Sequence, residues 1–484
     1  MIDLAENQFG MSSVPYSAWH IGQQHHISAE SKKQHGYFLH ITDMHIDEDY
    51  LEGATSSSSC HRLSHPLQTL KKKPVLAGKY GAVGAQCDAP VILAQETLDW
   101  ISDNWKDKLD FVIWTGDNAK HDWDKKEKRK RRDVYNLNQR VTDMVLDTFW
   151  DAKIPVIPSF GNNDVFPHNQ IAGPEVDGDL LSFYERLWRT WIPSDQRATF
   201  RQGGYFSIQA VPGIQVITLN SMYFFNRNKA VRNCLHPQSP AAQQMVWLEG
   251  QLKKARHDKH KVYIIGHVPP SPRDYKESCL TDYLRITTDF SDVILGQFFA
   301  HMNIDHFLMY GKETATSKSL NATTLGSDDD HHLFHTTRNI NAYVDWLHTM
   351  YEEIEPPRED KHGSPDEPRS PFTVVQVSPS VLPVYNPSIR IYQYEKKQKH
   401  SAKPYGTLLG YEQYFADLSK WNAPHQKGPL QYELEYSTQE AYGMEDLSAE
   451  SYFQLAKAMV EPTPEGARLW ATYRNHMLVK THKF

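Results

Sequence analysis

Short apolar runs alternate with amphipathic stretches along the first third of the chain. Residues 37–41, 111–114 and 155–157 are rich in aromatic and β-branched side chains, which is typical of buried strands. The stretches between them place apolar residues three or four positions apart, the spacing of a helix face, at Ala94, Leu98, Ile101, Trp105, Val134, Leu137, Val141 and Met144. This order of strand, helix, strand, helix and strand predicts an α/β sheet.

The pattern continues beyond these elements. Residues 204–209 and 215–220 predict a β-hairpin, and an amphipathic helix over 241–256 leads to apolar runs at 262–265 and 293–295. These runs predict further strands of the same α/β domain.

Composition divides the chain into three parts. Residues 1–35 are polar and aperiodic and predict an N-terminal tail. Residues 36–395 form the predicted α/β domain, with polar loop insertions at 309–336 and 356–371. Residues 396–484 are polar, with scattered Tyr, Leu and Trp anchors, and predict a small, mainly helical C-terminal subdomain.

Ligand-type side chains stand in five short motifs, four of which follow an apolar run: Asp43 and His45, Asp117, Asn162, His267, and His301. In α/β sheets, ligands gather at the carboxyl ends of strands, so we expect these side chains to meet. Asp43 and His45 are two positions apart and would share one face of a strand end. Carboxylate, amide and imidazole donors fit two divalent cations, and the Asp117 carboxylate could bridge them.

Bulk composition excludes few classes of function. Hydrophobic residues make up 39% of the chain and charged residues 23%, which is ordinary for a globular protein. The net charge of -7 gives no general attraction to nucleic acid or anionic membranes. No apolar stretch is long enough to cross a bilayer, and no secretory signal peptide follows Met1. Any targeting or anchoring segment is therefore expected outside this chain.

The cysteines and one sequon bear on the compartment. The four cysteines form no CxxC pair, and proximity in sequence favours disulfides joining Cys60 to Cys87 and Cys234 to Cys279. Asn321 lies in an N-x-T sequon, which would be glycosylated in a secretory lumen. The alternative is that the cysteines are buried thiols and that the sequon occurs by chance. The irregular polar sequence around the first two cysteines favours an oxidising lumen.

The motifs, taken in order, resemble those of the calcineurin-like metallophosphoesterases: TDMH, TGDNAKHD, FGNND, IGHVPP and FAHMN. Within that superfamily, YGAVGAQCD and VSPSVLPVYNPSIRIYQYE resemble the acid sphingomyelinase-like branch. The longer strings FLHITDMHIDEDY, FGNNDVFPHN, IIGHVPPSPRD and GQFFAHMNIDHF look most like fungal endopolyphosphatases. The resemblance covers about residues 37–395 and implies a four-layer αββα sandwich with two metal ions.

The resemblance also implies a ligand set, with Asp43, His45 and Asp117 on one metal and Asp117, Asn162, His267 and His301 on the other. Many family members end in a GHxH motif, whereas this chain has Ala300 and Asn303 at the flanking positions. We predict that Asn303 supplies an amide oxygen, with Asp305 or His306 as less favoured substitutes. An oxygen in place of an imidazole makes the site more tolerant of magnesium or manganese. The metals could be Mn, Mg, Zn, Co or Fe.

A second departure from the family pattern is Asn163, where the resemblance implies a His that helps to protonate the leaving group. An alkoxide leaving group needs that proton, but a phosphate whose second pKa is roughly 6 can leave without it. Asn163 therefore favours a phosphoanhydride substrate over a lipid ester. His121 is the reserve catalytic acid, because it aligns with a His beside the substrate in the sphingomyelinase-like pattern. Its alternative role is to hold the loop through Asp122.

A basic run follows the Asp117 loop: Lys125, Lys126, Lys128, Arg129, Lys130, Arg131 and Arg132. It is either the solvated start of a helix or an electrostatic track for a polyanion, to which Arg273 could add. Interleaved aromatic residues for base stacking are missing from the sequence, which disfavours nucleic acid.

These features predict a metal-dependent endopolyphosphatase, which hydrolyses internal phosphoanhydride bonds of inorganic polyphosphate with a hydroxide activated by two metals. The alternatives are an acid sphingomyelinase-like phosphodiesterase acting on a phospholipid or nucleotide, and a non-catalytic polyphosphate-binding protein. The resemblance implies a vacuolar lumen and, in relatives, an N-terminal membrane anchor that this sequence lacks.

Overall fold

Two six-stranded mixed sheets lie at the centre of the computed structural model, which describes residues 35–63, 75–311, 337–356, 372–396 and 403–481. The first sheet has the spatial order β14 (Glu433–Ser437), β13 (Leu408–Phe415), β12 (Ser388–Glu395), β1 (His35–Ile41), β4 (Phe111–Trp114) and β5 (Val156–Pro158). The second has the order β10 (His306–Tyr310), β11 (Thr373–Val377), β9 (Ile294–Phe299), β8 (Lys261–Ile265), β7 (Ile214–Thr218) and β6 (Phe206–Val211). A short parallel pair joins β2 (Ile46–Asp47) to β3 (Ala89–Pro90).

The parallel strands fix the location of the polar loops. β1, β4 and β5 are parallel neighbours in the first sheet. β7, β8 and β9 are parallel neighbours in the second sheet, and β11 extends this set. The loops that carry the ligand-type motifs follow β1, β4, β5, β8 and β9, so they leave the carboxyl ends of parallel strands.

Aromatic side chains join the two sheets face to face. Phe38 on β1 stacks on Phe111 and Tyr392 of its own sheet, with ring centroids 4.7 and 4.9 Å away. It also meets Phe298 and Tyr263 of the second sheet at 5.4 and 5.6 Å. All five rings are buried, and burying aromatic surface of this size is a main source of stability.

Helices connect and cover the strands. They are α1 (Val91–Asn104), α2 (Arg131–Phe149), α3 (Pro174–Leu187), α4 (Arg197–Gly203), α5 (Pro240–His257), α6 (Glu277–Asp289), α7 (Thr337–Glu353), α8 (Leu418–Trp421), α9 (Thr438–Tyr442), α10 (Ala449–Val460) and α11 (Pro464–Met477). Local sequence sets their ends: α5 begins with Pro240 after Ser239, whose hydroxyl accepts the Ala241 N–H at 3.1 Å.

The predicted α/β class, with two sheets and a helical C-terminal region, is confirmed. The hairpin predicted around 204–220 is the antiparallel pair β6–β7, and the three predicted helices correspond to α1, α2 and α5. Helices α3, α4, α6 and α7 were not predicted. For α7, the apolar spacing of Ile340, Tyr343, Val344 and Leu347 is a helical signal that the sequence analysis passed over.

The C-terminal part of the chain is helical but not only helical. Residues 408–415 and 433–437 add β13 and β14 to the first sheet, where β13 pairs with β12 along its length. The proposed division at residue 395 therefore falls between two paired strands, and the domain division itself stays a prediction.

Several sequence-based expectations concern residues outside the described ranges. The predicted tail up to residue 34, most of both loop insertions and the sequon at Asn321 lie there. Met309 and Tyr310, placed in the first insertion, complete β10. Among the described residues, no helix has the length and apolarity required to cross a bilayer.

Candidate metal centre

Asp43 and His45 lie in the turn after β1, not on the strand itself. Their backbones are left-handed, with φ of 50° and 38°, so the expectation that they share a strand face is wrong. The turn brings them together instead. The Asp43 N–H donates to the Gly116 carbonyl at 2.9 Å, and the His45 N–H donates to the Asp117 carbonyl at 3.0 Å. The turn is thus built onto the loop that carries Asp117.

Two glycines and one carboxylate organise the loops after β4 and β5. A Cβ on Gly116 would lie 2.4 Å from the backbone nitrogen of Gly161, so the close approach requires glycine. The buried Asp164 carboxylate accepts the N–H groups of Asp117 and Asn118 at 2.8 Å and that of Gly161 at 2.9 Å. Asp164 lies in the FGNND motif, but the sequence predicted no role for it.

The Asp117 carboxylate is shared by two clusters of possible metal ligands. The first consists of Asp43, His45 and Asp117, and the second of Asp117, His267 and His301. The Asp117 Oδ2 atom lies 3.3 Å from His45 Nε2 and 3.1 Å from His267 Nε2. His45 Nε2 also lies 3.4 Å from Asp43 Oδ1. The structure therefore brings these five predicted ligands together around one carboxylate.

Asn162 joins the second cluster. Its Oδ1 atom lies 3.0 Å from His267 Nε2, and its amide nitrogen lies 3.0 Å from His168 Nε2. The ring of His301 lies 5.1 Å from that of His267. Asn162 thus presents a neutral oxygen where sequence analysis predicted one.

Hydrogen bonds from the other ring nitrogen orient both histidines on Asp117. His45 Nδ1 donates to the Ala119 carbonyl at 3.1 Å, and His267 Nδ1 donates to the Thr115 carbonyl at 2.8 Å. Each Nε2 consequently points at Asp117. Histidines that bind metals in proteins are held in this way, with the second ring nitrogen donating to a carbonyl or carboxylate.

The charges of the cluster shift its pKa values strongly. Burial lowers the pKa of His267, but the carboxylates of Asp117 and Asp43 outweigh it and raise that pKa to about 9. The pKa of His45 rises to about 8, since Asp117 and Asp43 again outweigh burial. Burial would raise the pKa of Asp117, yet His267 and His45 hold it well below its usual range. This carboxylate is therefore an anion that attracts cationic partners.

The residues present fit divalent cations. Asn303 Oδ1 is buried and has no hydrogen-bond partner among the described residues, as expected of an oxygen available to a cation. Asp305 is bound to Arg390 and Tyr436, and His306 Nε2 lies 2.8 Å from the Tyr343 hydroxyl. Asp305 and His306 already have polar partners, which leaves Asn303 as the favoured substitute.

Asn163 contacts the shared carboxylate. Its backbone N–H donates to Asp117 Oδ1 at 2.7 Å, and its side-chain amide donates to Asp117 Oδ2 at 2.9 Å. An amide in this position holds Asp117 in place and has no acidic proton to give. Its assignment as a catalytic residue stays a prediction.

His121 lies beside the first cluster. Its ring stacks on those of His45 and Trp123, with centroids 4.2 and 4.0 Å away. The expected loop contact through Asp122 is wrong, because His121 Nδ1 pairs with Asp88 Oδ1 at 2.6 Å. Asp122 instead accepts the Arg129 N–H at 2.9 Å.

Asp88 is a site residue that sequence analysis missed. Its carboxylate also accepts the His121 backbone N–H at 3.0 Å. Burial raises the pKa of Asp88 to about 7, and the same cause lowers the pKa of His121 well below its usual value. The Asp88 position, next to Cys87 in irregular sequence, carries no local signal.

One residue of the basic run is buried, whereas the others are exposed. Arg129 turns inward, and its Nη1 donates to the carbonyls of Lys120 and Asn163 at 2.7 and 2.8 Å. The expectation that Arg129 faces solvent with the track is therefore wrong, because its guanidinium ties the two ligand loops together. The other basic residues of the run are exposed: Lys125, Lys126, Lys128, Lys130, Arg131 and Arg132. Arg273 lies by the second cluster, with Nη1 3.8 Å from Met302 Sδ.

Disulfides join Cys60 to Cys87 and Cys234 to Cys279, as predicted. The first one adjoins a partly buried charge network centred on His61. His61 Nε2 lies 2.6 Å from Asp47 Oδ2, and His61 Nδ1 lies 2.8 Å from Asp124 Oδ2. Arg62 binds both oxygens of Asp124 at 2.6 and 2.9 Å. The network connects the disulfide loop to the start of the basic run.

The His61 network gives folding stability a defined pH window. Burial lowers the pKa of His61, but Asp47 and Asp124 outweigh it and raise that pKa. This contribution is complete below the usual His pKa of about 6.5 and disappears as the pH rises through the folded value. Arg62 lowers the pKa of Asp124, whose contribution is complete above about 4 and disappears as the pH falls. We expect the network to stabilise the fold most between these limits.

His61→Gln tests this window. The melting temperature of the wild type should exceed that of the variant by a few degrees at pH 5.5, and the gap should narrow as the pH rises to 8.5. His425→Gln, at an exposed position, is the control and should follow the wild type at both values. A gap that stays constant across this range would show that His61 does not titrate in the network.

Two family models match the chain. The calcineurin-like phosphoesterase model matches residues 36–308, and the model of the acid sphingomyelin phosphodiesterase C-terminal region matches residues 370–483. A dimetal phosphatase structure from Danio rerio aligns at 14% identity, covering 58% of this chain and 85% of that one. Its TM-score of 0.32 is too low to support any conclusion.

Curated relatives carry the name endopolyphosphatase. The one from Cryptococcus neoformans is 32% identical and covers 81% of this chain and 64% of the relative. Those from Saccharomyces cerevisiae and Schizosaccharomyces pombe are 38% and 27% identical, covering 61% and 89% of this chain and 44% and 84% of the relatives. The chain thus spans about half the length of most of the relatives that it matches.

Proposed function

Because the chain belongs to the calcineurin-like phosphoesterases, we propose that it is a metal-dependent endopolyphosphatase that cuts internal phosphoanhydride bonds of inorganic polyphosphate. The observation that carries the proposal is the Asp117 carboxylate, which lies between two ligand clusters and is fixed by two hydrogen bonds from Asn163. The names of the curated relatives support the same substrate.

The ligand clusters support two bound divalent cations, with Asp117 between them. When bound, such cations would activate water for attack on phosphorus and offset the negative charge of the phosphoryl group. His45 and His267 would bind through Nε2, because their Nδ1 atoms are engaged with backbone carbonyls. Asn162 and Asn303 would add neutral oxygens, which suit magnesium or manganese.

The residues that the family resemblance places beside the leaving group favour an anhydride. Asn163 cannot donate an acidic proton, and a departing phosphate with a second pKa of roughly 6 does not require one. A lipid or nucleotide diester expels a basic alkoxide, and that leaving group requires a proton. His121 is the remaining acid candidate, and its pKa is lowered well below the usual value by burial. This combination supports polyphosphate over a phosphodiester.

The exposed residues of the basic run support a long polyanion as substrate. They start close after the Asp117 loop, and Arg129 anchors them to it. Polyphosphate carries one or more negative charges per unit, so a row of cations would guide a long chain more than a short one. The two disulfides, together with the sequon, support a secretory compartment such as the vacuolar lumen.

A gel assay with long-chain polyphosphate tests the proposal. With manganese, magnesium, cobalt or zinc, the protein should shorten the chains to intermediate lengths, and a chelator should stop the reaction. Release of monophosphate alone would contradict endo cleavage. Cleavage of sphingomyelin or bis(p-nitrophenyl) phosphate without cleavage of polyphosphate would favour the phosphodiesterase. Binding without cleavage under all four metals would favour the non-catalytic alternative.

The same assay tests whether the exposed residues of the basic run bind long polyphosphate chains. Replacing Lys125 and Lys126 with glutamine should raise KM for long chains several-fold and leave a short chain nearly unaffected. Lys253 and Lys254, which are exposed on α5, give the matched double substitution. An equal effect of both pairs, or an equal effect on both chain lengths, would leave the run as an ordinary solvated surface.

A further inference from the structure

The turn between β9 and β10 carries two of the candidate ligands in left-handed backbone conformations. His301 and Asn303 have φ of 70° and 57°, a region that few non-glycine residues adopt but that His and Asn tolerate. The two residues are separated by the buried Met302. The contacts made by the residues that follow this short turn therefore bear on where its two ligand side chains lie.

Asp305 connects the turn to the C-terminal part of the chain. Its buried carboxylate forms an ion pair with Arg390 on β12 and accepts the hydroxyl of Tyr436 on β14. Its backbone N–H donates to the Met477 carbonyl at the end of α11, at 3.0 Å. Three separate C-terminal elements thus hold one residue, which lies two positions after Asn303.

Further hydrogen bonds make this cluster rigid. Arg390 Nε donates to Gln413 Oε1 at 2.7 Å, and the Gln413 amide donates to Glu435 Oε2 at 2.7 Å. The guanidinium of Arg390 also lies 4.4 Å from the ring centroid of Tyr411. The cluster thus links β12, β13 and β14, and through Asp305 it reaches the second sheet.

The same cluster has no room for a substrate. The cavity next to Asp305 and Arg390 measures about 10 Å³, which is close to the space that one water molecule needs. Its polar groups therefore bind other protein groups and not a substrate. The turn with His301 and Asn303 immediately precedes Asp305 in the chain.

We propose that Asp305, held by Arg390 and Tyr436, is a positioning residue that keeps His301 and Asn303 in the geometry that binds one of the two cations. This rests on the metal dependence in the proposed function. The C-terminal strands thereby belong to the centre, although they supply none of the candidate ligands. Outer residues that orient metal ligands typically affect metal affinity by about 10- to 100-fold.

Calorimetric titration of the metal-free protein with manganese tests this role directly. The wild type should bind two ions, and Asp305→Asn should weaken one of them by about 10- to 100-fold while the other keeps its affinity. Raising the manganese concentration should restore kcat of the variant. Asp292→Asn, which removes the charge from an exposed pair with Arg256, is the matched control and should change neither affinity.

Tyr436→Phe keeps the Arg390 ion pair and gives a second test in case Asp305→Asn fails to fold. It should weaken the same ion several-fold. Equal weakening of both ions, or lowered thermal stability with both affinities intact, would overturn the positioning role. A selective loss of one ion in a protein that does not cleave polyphosphate would refute the proposed function and leave the positioning role in place.

Discussion

Replacing Asp117 with asparagine will lower kcat by about a hundredfold to a thousandfold, the scale seen when a main electrostatic stabiliser of a transition state is removed. Asp117 Oδ2 lies within 3.3 Å of both His45 Nε2 and His267 Nε2. One substitution therefore removes the negative charge that both ligand clusters share. Steady-state kinetics on polyphosphate and the metal content of the purified variant measure the effect.

The matched control for this change is Asp446→Asn. Like Asp117, Asp446 is a buried carboxylate with a cationic partner, which here is Lys403. It lies in the C-terminal region and is not part of either ligand cluster. It should retain wild-type kcat. Turnover of Asp117→Asn within tenfold of the wild type, with two metals bound, would remove the basis for a centre bridged by Asp117.

Replacing Asp164 with asparagine will destabilise the fold by about 3 kcal/mol, the upper range for hydrogen bonds to a charged group. Its carboxylate accepts the backbone N–H groups of Asp117, Asn118 and Gly161. An asparagine would turn its own N–H₂ group toward one or more of these donors. Because the same bonds set the position of Asp117, activity should fall as well. Urea unfolding and kcat are the two measurements.

Asp133→Asn provides a graded comparison for Asp164. Asp133 accepts one backbone N–H, that of Lys130, at 2.8 Å at the start of α2. Asparagine keeps an acceptor oxygen there, so the loss of the negative charge from the first turn should cost about 0.5 kcal/mol and leave kcat unchanged. Equal losses in the free energy of unfolding for the two variants would mean that burial of Asp164 and its additional hydrogen bonds contribute no extra stability.

The sequence was sufficient to predict the positions of the candidate ligands that stand at strand ends. Asp117, Asn162, His267 and His301 follow apolar runs, and such runs report both the strand and its carboxyl end. Asp88 was beyond reach, because its role depends on folding next to His121, 33 positions later in the chain. No local pattern encodes a contact of that kind.

Two errors have a common physical cause. The basic run was treated as one surface, but a charged residue gives no local sign of whether it faces solvent or two buried carbonyls, as Arg129 does. β13 was not predicted because the buried Gln413 and the partly exposed Tyr414 obscure the alternation that reveals a strand. In both places, polar side chains that form tertiary hydrogen bonds replaced the expected pattern.

The sheet order has a consequence for biosynthesis. On one side, β1 is hydrogen-bonded to β12. The ribosome synthesises β12 only after β1 to β11, which make up most of both sheets. Asp305 likewise can form its contacts with Arg390, Tyr436 and Met477 only after those residues have been synthesised. Domains commonly fold as units during synthesis, but this one can close its first sheet only when nearly all of the described chain has emerged. The turn with His301 and Asn303, which Asp305 is proposed to hold, would then reach its final geometry only at the end of synthesis.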